Sequence, residues 1–259
     1  MRQSLLIIFS FLSFICPAFA QEASALIGKG EKIIGKFKYK DSKTLRRAVV
    51  AEGVTEIGEY AFLGCDSLEE LVLPSSLCKI GEGAFRECRS LKRLVIPKGV
   101  TVIPRYMCAW CEDLKIVVLP SGLKDIGSHA FAYCENLSEI SLPYSLTHIG
   151  SNAFSFCKSL REIEISASMQ ELESYAFSDC SSLRRVILPA NNKMLGELLF
   201  IGCKNLEEIE CMSKLPPTFD CDSPLFDPSE KDMYEKISLK VPQSARSLYR
   251  KAKVWSLFQ

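Results

Sequence analysis

The sequence predicts a repeat solenoid: about seven to eight stacked coils of 23 residues, short parallel β-strands joined by turns or short helical segments, and a cap at each end. Three observations carry this. Cys65, Cys88, Cys111, Cys134, Cys157, Cys180 and Cys203 each fall 23 residues after the one before. Leu68, Leu91, Leu114, Leu137, Leu160, Leu183 and Leu206 follow these cysteines by three residues, and Phe62, Phe85, Phe131, Phe154, Phe177 and Phe200 precede them by three. Pro74, Pro97, Pro120, Pro143 and Pro189 close short apolar alternations such as Leu71-Val72-Leu73.

Residues 1–20 read as a secretory signal peptide, with a basic start at Arg2, an apolar stretch from Leu5 to Ile15 and Ala18-Phe19-Ala20 as the cleavage signature. Cys16 raises a lipid-modified start as the alternative, but Ile15 stands where that processing wants a small residue. The apolar stretch is shorter than the roughly 18 residues of a spanning helix, and no comparable run follows, so no membrane span is expected in the mature chain. Without Arg2 the chain carries 31 basic and 31 acidic residues. That balance leaves no electrostatic footprint for nucleic acid, and the Lys29 to Lys43 stretch is broken by Glu31 and Asp41.

Residues 21–43 are expected to form an N-terminal cap, residues 44–212 the array, and residues 213–259 a C-terminal cap. Leu45, Val50, Val54 and Ile57 already occupy the repeat columns, with Ser42 in the cysteine column. At the other end Cys211 takes the place of a strand leucine, and Pro216-Pro217 stops the pattern. A single 23-residue coil is too small to bury its own apolar face. Stacking turns each column into a ladder with rungs about 4.7–4.9 Å apart, each fully buried side chain contributing roughly 1.5–3 kcal/mol. Ile57-Gly58, Ile80-Gly81, Ile126-Gly127 and Ile149-Gly150 are expected to mark a second turn in each coil.

The motif I-G-x-x-A-F-x-x-C-x-x-L-x-x-I-x-L-P, running from Ile126 to Pro143 and again from Ile149 to Ile165, resembles the BspA-like (Treponema-type) leucine-rich repeat. The end of the chain, with Leu239-Lys240-Val241-Pro242 and then Tyr249 and Trp255, is similar to the cap that often closes such proteins. The resemblance implies a leucine-rich-repeat array on a secreted or surface protein engaged in adhesion and protein binding; with the signal peptide and the residues below, the expected location is secreted, periplasmic or cell-surface and the expected partner a protein, host or extracellular-matrix proteins among them, or a glycan. It implies no shared catalytic residues and no cofactor. Departures fall at Met107 and Cys108, in the Ala and Phe columns, and at Ser166, in the Pro column.

Cys108-Ala109-Trp110-Cys111 has the spacing of a thiol oxidoreductase. Cys111 belongs to the ladder and Cys108 to the Phe column, however, so both should face the interior, whereas redox pairs need an exposed, low-pKa thiol. Zinc wants four ligands about one point, and a column is a line. Adjacent rungs at about 4.8 Å also exceed the roughly 3.5–4.5 Å between Cβ atoms of a disulfide. The ladder therefore reads as buried thiols, and Cys211 with Cys221 is the one candidate disulfide. Cys78 falls in an exposed column. His129 and His148 occupy different columns, both expected at the surface, which does not suggest a catalytic triad or a metal site.

Two surfaces remain as binding candidates. Val72, Val95 and Val118 share an outward strand column beside Arg93, Ile116, Glu139, Glu162 and Arg185, on the open sheet where solenoids present ligand surfaces. Trp110, Tyr133 and Phe156 precede three consecutive ladder cysteines. They form either a flat platform for a sugar ring or an apolar side chain, or a lid folded over the Phe core.

Overall fold

The structure, a computed structural model, describes residues 24–189, 195–219, 225–230 and 232–258. It is a parallel-strand solenoid of about eight turns with little helix. One side is built from β1 (Ala25–Ile27), β3 (Arg47–Val50), β5 (Glu70–Val72), β7 (Arg93–Val95), β9 (Ile116–Val118), β11 (Glu139–Ile140), β13 (Glu162–Glu164), β15 (Arg185–Leu188), β16 (Glu208–Cys211) and β17 (Ser238–Lys240). The other carries the two-residue strands β2 (Ile33–Ile34), β4 (Glu56–Ile57), β6 (Lys79–Ile80), β8 (Val102–Ile103), β10 (Asp125–Ile126), β12 (His148–Ile149) and β14 (Glu171–Leu172). All the strand pairs are parallel and join residues 23 apart through most of the array, as with Val95 and Val118 or Ile126 and Ile149.

The Ile-Gly dipeptides open a turn as expected, the glycine carbonyl accepting from the N–H three residues on, as Gly150 O does from Ala153 at 3.2 Å, and they also close a second set of strands. Each isoleucine ends a two-residue strand of the second ladder, too short to show alternation in sequence, and the glycine follows because neighbouring main chains meet there. Where this column holds Pro104 instead, it has no N–H to match the bond from Gly81 N to Ile57 O, and no β6–β8 pairing is recorded.

On the third side the chain makes tight turns whose N–H groups donate to the next coil: Phe62 to Ala84 O, Phe131 to Ala153 O and Phe154 to Ala176 O, each at 2.8 Å. These turns carry the Phe column into the core. Phe131, Phe154 and Phe177 stack with centroids 5.3 Å apart, and Phe226 from the C-terminal segment extends the column past Phe200. The ladder cysteines have a specific partner. Each thiol donates to a main-chain carbonyl 26 residues earlier in the Phe column, as Cys88 does to Phe62 O (3.2 Å) and Cys180 to Phe154 O (3.2 Å). A thiol there is small, apolar and still satisfies a buried acceptor.

Both ends are tied into the stack. β1 pairs with β3 and β2 with β4, so the segment expected as an N-terminal cap also supplies rungs to both ladders. At the other end β17 adds to β16, and α1 (Asp232–Lys236) and α2 (Arg246–Tyr249) cover the last coil. Tyr249 and Trp255 are buried there, the tyrosine hydroxyl donating to Ser213 O and the indole N–H to Pro217 O. Residues 1–20 lie outside the described residues. Among the described residues, no helix is long and apolar enough to cross a membrane.

Candidate functional site

Alternation along each strand of the first ladder turns one residue inward, such as Leu94 or Val117, and its neighbours out. Two outward columns result. The first runs Arg47 and Glu70, then Arg93, Ile116 and Glu139, then Glu162, Arg185 and Glu208, with the strand pairing interrupted between these three groups. The second runs Leu26, Val49, Val72 and, in the next coils, Val95 and Val118. Leu26, Val95 and Val118 are 54%, 46% and 40% exposed, while Val49 and Val72 are half-buried. The sequence reading missed Leu26 and Val49, which extend the valine column into the first two coils. Val49 was available at the 23-residue spacing, whereas Leu26 sits in a segment without the Cys and Leu signals.

The far end of the same face is polar. Arg185 donates to Glu162 (2.7 Å), Glu208 (2.9 Å) and Glu210 (2.7 Å), and the acceptors Glu208 and Glu210 hold its guanidinium pKa above its ordinary value. The ladder is interrupted between β5 and β7 and again between β11 and β13, with no strand pairing at either place. At the second break Glu139 and Glu162 occupy successive rungs of one column as like charges, whereas Glu70 and Arg93 of opposite charge flank the first, so charge alone does not decide which strands pair. Ser166, in the Pro column, is buried and donates to Tyr144 O at 3.0 Å. This second break opens a groove of about 360 Å³ lined by Ile140, Leu142, Glu162, Glu164 and Ser166, with Tyr144 80% exposed at its lip.

Trp110, Tyr133 and Phe156 do come together. Their centroids lie 5.1 and 4.4 Å apart with planes within 6° of parallel, and Arg86 covers the tryptophan at 4.7 Å. The faces of these rings are turned to one another along the stack, and all three are half-buried. Their backbones are left-handed, at φ of 62°, 60° and 60°, in a column where Gly64 and Gly202 also stand. Main-chain bonds to the next coil, such as Trp110 N to Ala132 O and Tyr133 N to Ser155 O, hold that conformation in bulky residues.

A profile of the BspA type leucine rich repeat region matches this chain in six copies, over residues 32–137 and 101–217. The chain belongs to this family. Among solved structures it is similar to a leucine-rich repeat protein of Bacteroides ovatus at 24% identity and a TM-score of 0.57, covering 86% of this chain and 64% of that one. It is also similar to a leucine rich cell surface protein of Faecalibacterium prausnitzii at 25% identity and a TM-score of 0.54, covering 89% and 71%. This chain thus spans less than two thirds of the Bacteroides protein's length. A search of the curated proteins gives no match.

In this BspA-type chain the Cys108 and Cys111 side chains are fully buried, and burial, with Cys111 alongside, pushes the Cys108 thiol well above its ordinary range. Of the ten described cysteines only Cys78 is exposed. Cys211 is buried with its sulfur 2.9 Å from the Tyr249 hydroxyl oxygen, while Cys221 lies outside the described residues. Brief alkylation of native protein is expected to modify Cys78 and to spare Cys108 and Cys111 until the chain is unfolded, as read by peptide mass spectrometry. Labelling of Cys108 at the rate of Cys78 would restore the dithiol reading.

The histidines are less exposed than their columns suggested. His129 is half-buried on Tyr106 at 4.8 Å, and burial, helped by Arg105, lowers its pKa. His148 lies between Asp125 and Glu173; burial pulls its pKa down, but hydrogen bonds and charge from the two carboxylates outweigh this and raise it.

Proposed function

We propose that this chain is an exported, non-enzymatic binding module that holds a protein partner on the outward strand face, as in adhesion. One observation carries the reading: Leu26, Val49 and Val72 in one sheet and Val95 and Val118 in the next form an apolar column over five successive coils, beside a column that from Arg47 to Glu139 is charged except at Ile116. An exposed apolar column of this length is costly to leave in water and is a common mark of an interaction site. The flanking Arg93, Glu139, Glu162 and the groove at the second ladder break supply polar and acidic complementarity beside it. Export rests on the signal-peptide reading of residues 1–20 and on the cell-surface description of the Faecalibacterium protein.

A glycan on the Trp110, Tyr133 and Phe156 stack is the second reading. Sugar rings pack on aromatic faces, and here the faces pack on each other and on Arg86. The stack therefore favours the role of a lid over the column position held by Cys108.

The test is one pair of double variants, probed on an array of extracellular-matrix proteins and on a glycan array. Val95→Lys with Val118→Lys should leave the melting temperature within about 2–4 °C, since lysine keeps its ammonium in water at solvent-facing positions. It should weaken protein binding about tenfold or more, the equivalent of roughly 1.4 kcal/mol, because a partner would have to bury unpaired charges. Trp110→Ala with Tyr133→Ala should leave protein binding unchanged. The reverse pattern, glycan binding lost only in the aromatic variant, would replace this reading with the second.

A further inference from the structure

We propose that His148, Glu171 and Glu173 form a divalent transition-metal site, best suited to zinc, with Asp125 as the residue that orients the histidine. The site arises from the two-residue strands of the second ladder. His148 is the cross-strand partner of both Asp125 and Glu171, which places three consecutive rungs in one outward column. Glu173 stands two residues beyond Glu171 and reaches the same spot.

The geometry assigns each group a role. The Nδ1–H of His148 donates to Asp125 Oδ2 at 2.8 Å, which fixes the imidazole plane and leaves Nε2 turned the other way, 3.0 Å from Glu173 Oε1. Glu173 is itself held in place, its second oxygen accepting from both the N–H and the hydroxyl of Ser151 at 2.7 Å. One ligand atom each from His148, Glu171 and Glu173 lie within 4.8 Å of one another. A zinc ion with bonds of about 2.0–2.2 Å would draw such atoms together by a modest side-chain shift and keep one or more positions open for water or a partner's ligand. A carboxylate behind the non-ligating nitrogen is the usual partner of a zinc-bound histidine, and imidazole with carboxylates suits zinc over calcium. Binding replaces the proton on Nε2, which leaves to solvent.

The site differs from the chain's other carboxylate groupings. Glu162, Glu208 and Glu210 converge on Arg185, whose fixed positive charge already occupies their centre. At His148 the central group can give up its proton, so a cation can take that place.

Titration calorimetry with zinc chloride tests the proposal, using the chain carrying Cys78→Ser so that the exposed thiol does not compete. One zinc per chain is expected. His148→Ala should weaken binding at least tenfold, and Asp125→Asn, which touches no metal, about 10- to 100-fold. Calcium should bind far more weakly than zinc. Cobalt bound in place of zinc should show no thiolate-to-metal charge-transfer absorption. No saturable zinc binding, equal affinity for calcium, a thiolate band, or unchanged affinity in a folded His148→Ala variant would each overturn the assignment. If His148→Ala fails to fold, Glu171→Gln decides, because its side chain is exposed: unchanged zinc affinity there overturns the site as well.

Discussion

Phe154→Ala is expected to destabilise the solenoid by about 3–5 kcal/mol, the range for truncating a buried phenylalanine. The upper half of that range applies because the ring is fully buried between two others, Phe131 and Phe177, each at 5.3 Å. Those neighbours cannot settle into the cavity. Their main chains are fixed by bonds from Phe131 N to Ala153 O and from Phe154 N to Ala176 O, and the Cys180 thiol pins the Phe154 carbonyl. The chain contains its own version of the experiment at Cys108, where the Phe column holds a small residue and the adjacent Ala column holds the buried Met107. Adding Ala153→Met to Phe154→Cys should therefore recover part of the loss suffered by Phe154→Cys alone. Denaturant unfolding followed through Trp110 and Trp255 measures both, one probe within the array and one in the final coil. A loss below about 1 kcal/mol for Phe154→Ala would mean that the ring column is not what holds the coils together.

The coil register was legible because identical side chains must recur wherever a ladder is buried, and the Cys, Leu and Phe columns recur without interruption from Cys65 to Cys203 save at Cys108. From that register alone the outward valines fall into one column, as the strand pairing has them. Other features depend on distances that columns do not encode. The stripe reaches Leu26 only because β1 pairs with β3, and that first coil carries Tyr39 and Ser42 where later coils carry Phe and Cys. The successive Glu139 and Glu162 are visible as a like-charge step, but the groove beside them follows from main chains failing to pair. His148 and Glu173 occupy different columns, and only the side-chain reach across two coils brings them together with Asp125. Trp110, Tyr133 and Phe156 share a column in the sequence, but that their rings stack face to face depends on side-chain planes that columns do not encode.

Gly150→Ala is expected to cost about 2–3 kcal/mol, while Gly35→Ala, in the same column of the repeat, should be neutral or stabilise slightly. The contrast follows from stacking. A Cβ built at Gly150 would sit 2.5 Å from Ser128 N and 2.9 Å from Gly127 C, inside the main chain of the preceding coil. At Gly35 nothing among the described residues lies within 4 Å, because that glycine belongs to the first described coil. Gly150 has no positive φ, so the demand for glycine there is one of space between coils rather than of backbone conformation. The column also shows why the cost is bounded. Glu173 stands in it one coil later, and its N–H still donates to Ile149 O at 2.9 Å, so the coils can separate enough for a Cβ while keeping the ladder bond. Alanine at 150 must impose the same separation on a pair of coils closely packed on both sides, which strains their Phe and Leu contacts by the amount that overpacking usually costs. Thermal or denaturant unfolding of the two variants measures the difference. Equal losses at Gly35 and Gly150 would show that the glycines serve a local backbone need in every coil, and that the close approach of neighbouring coils is not what selects them.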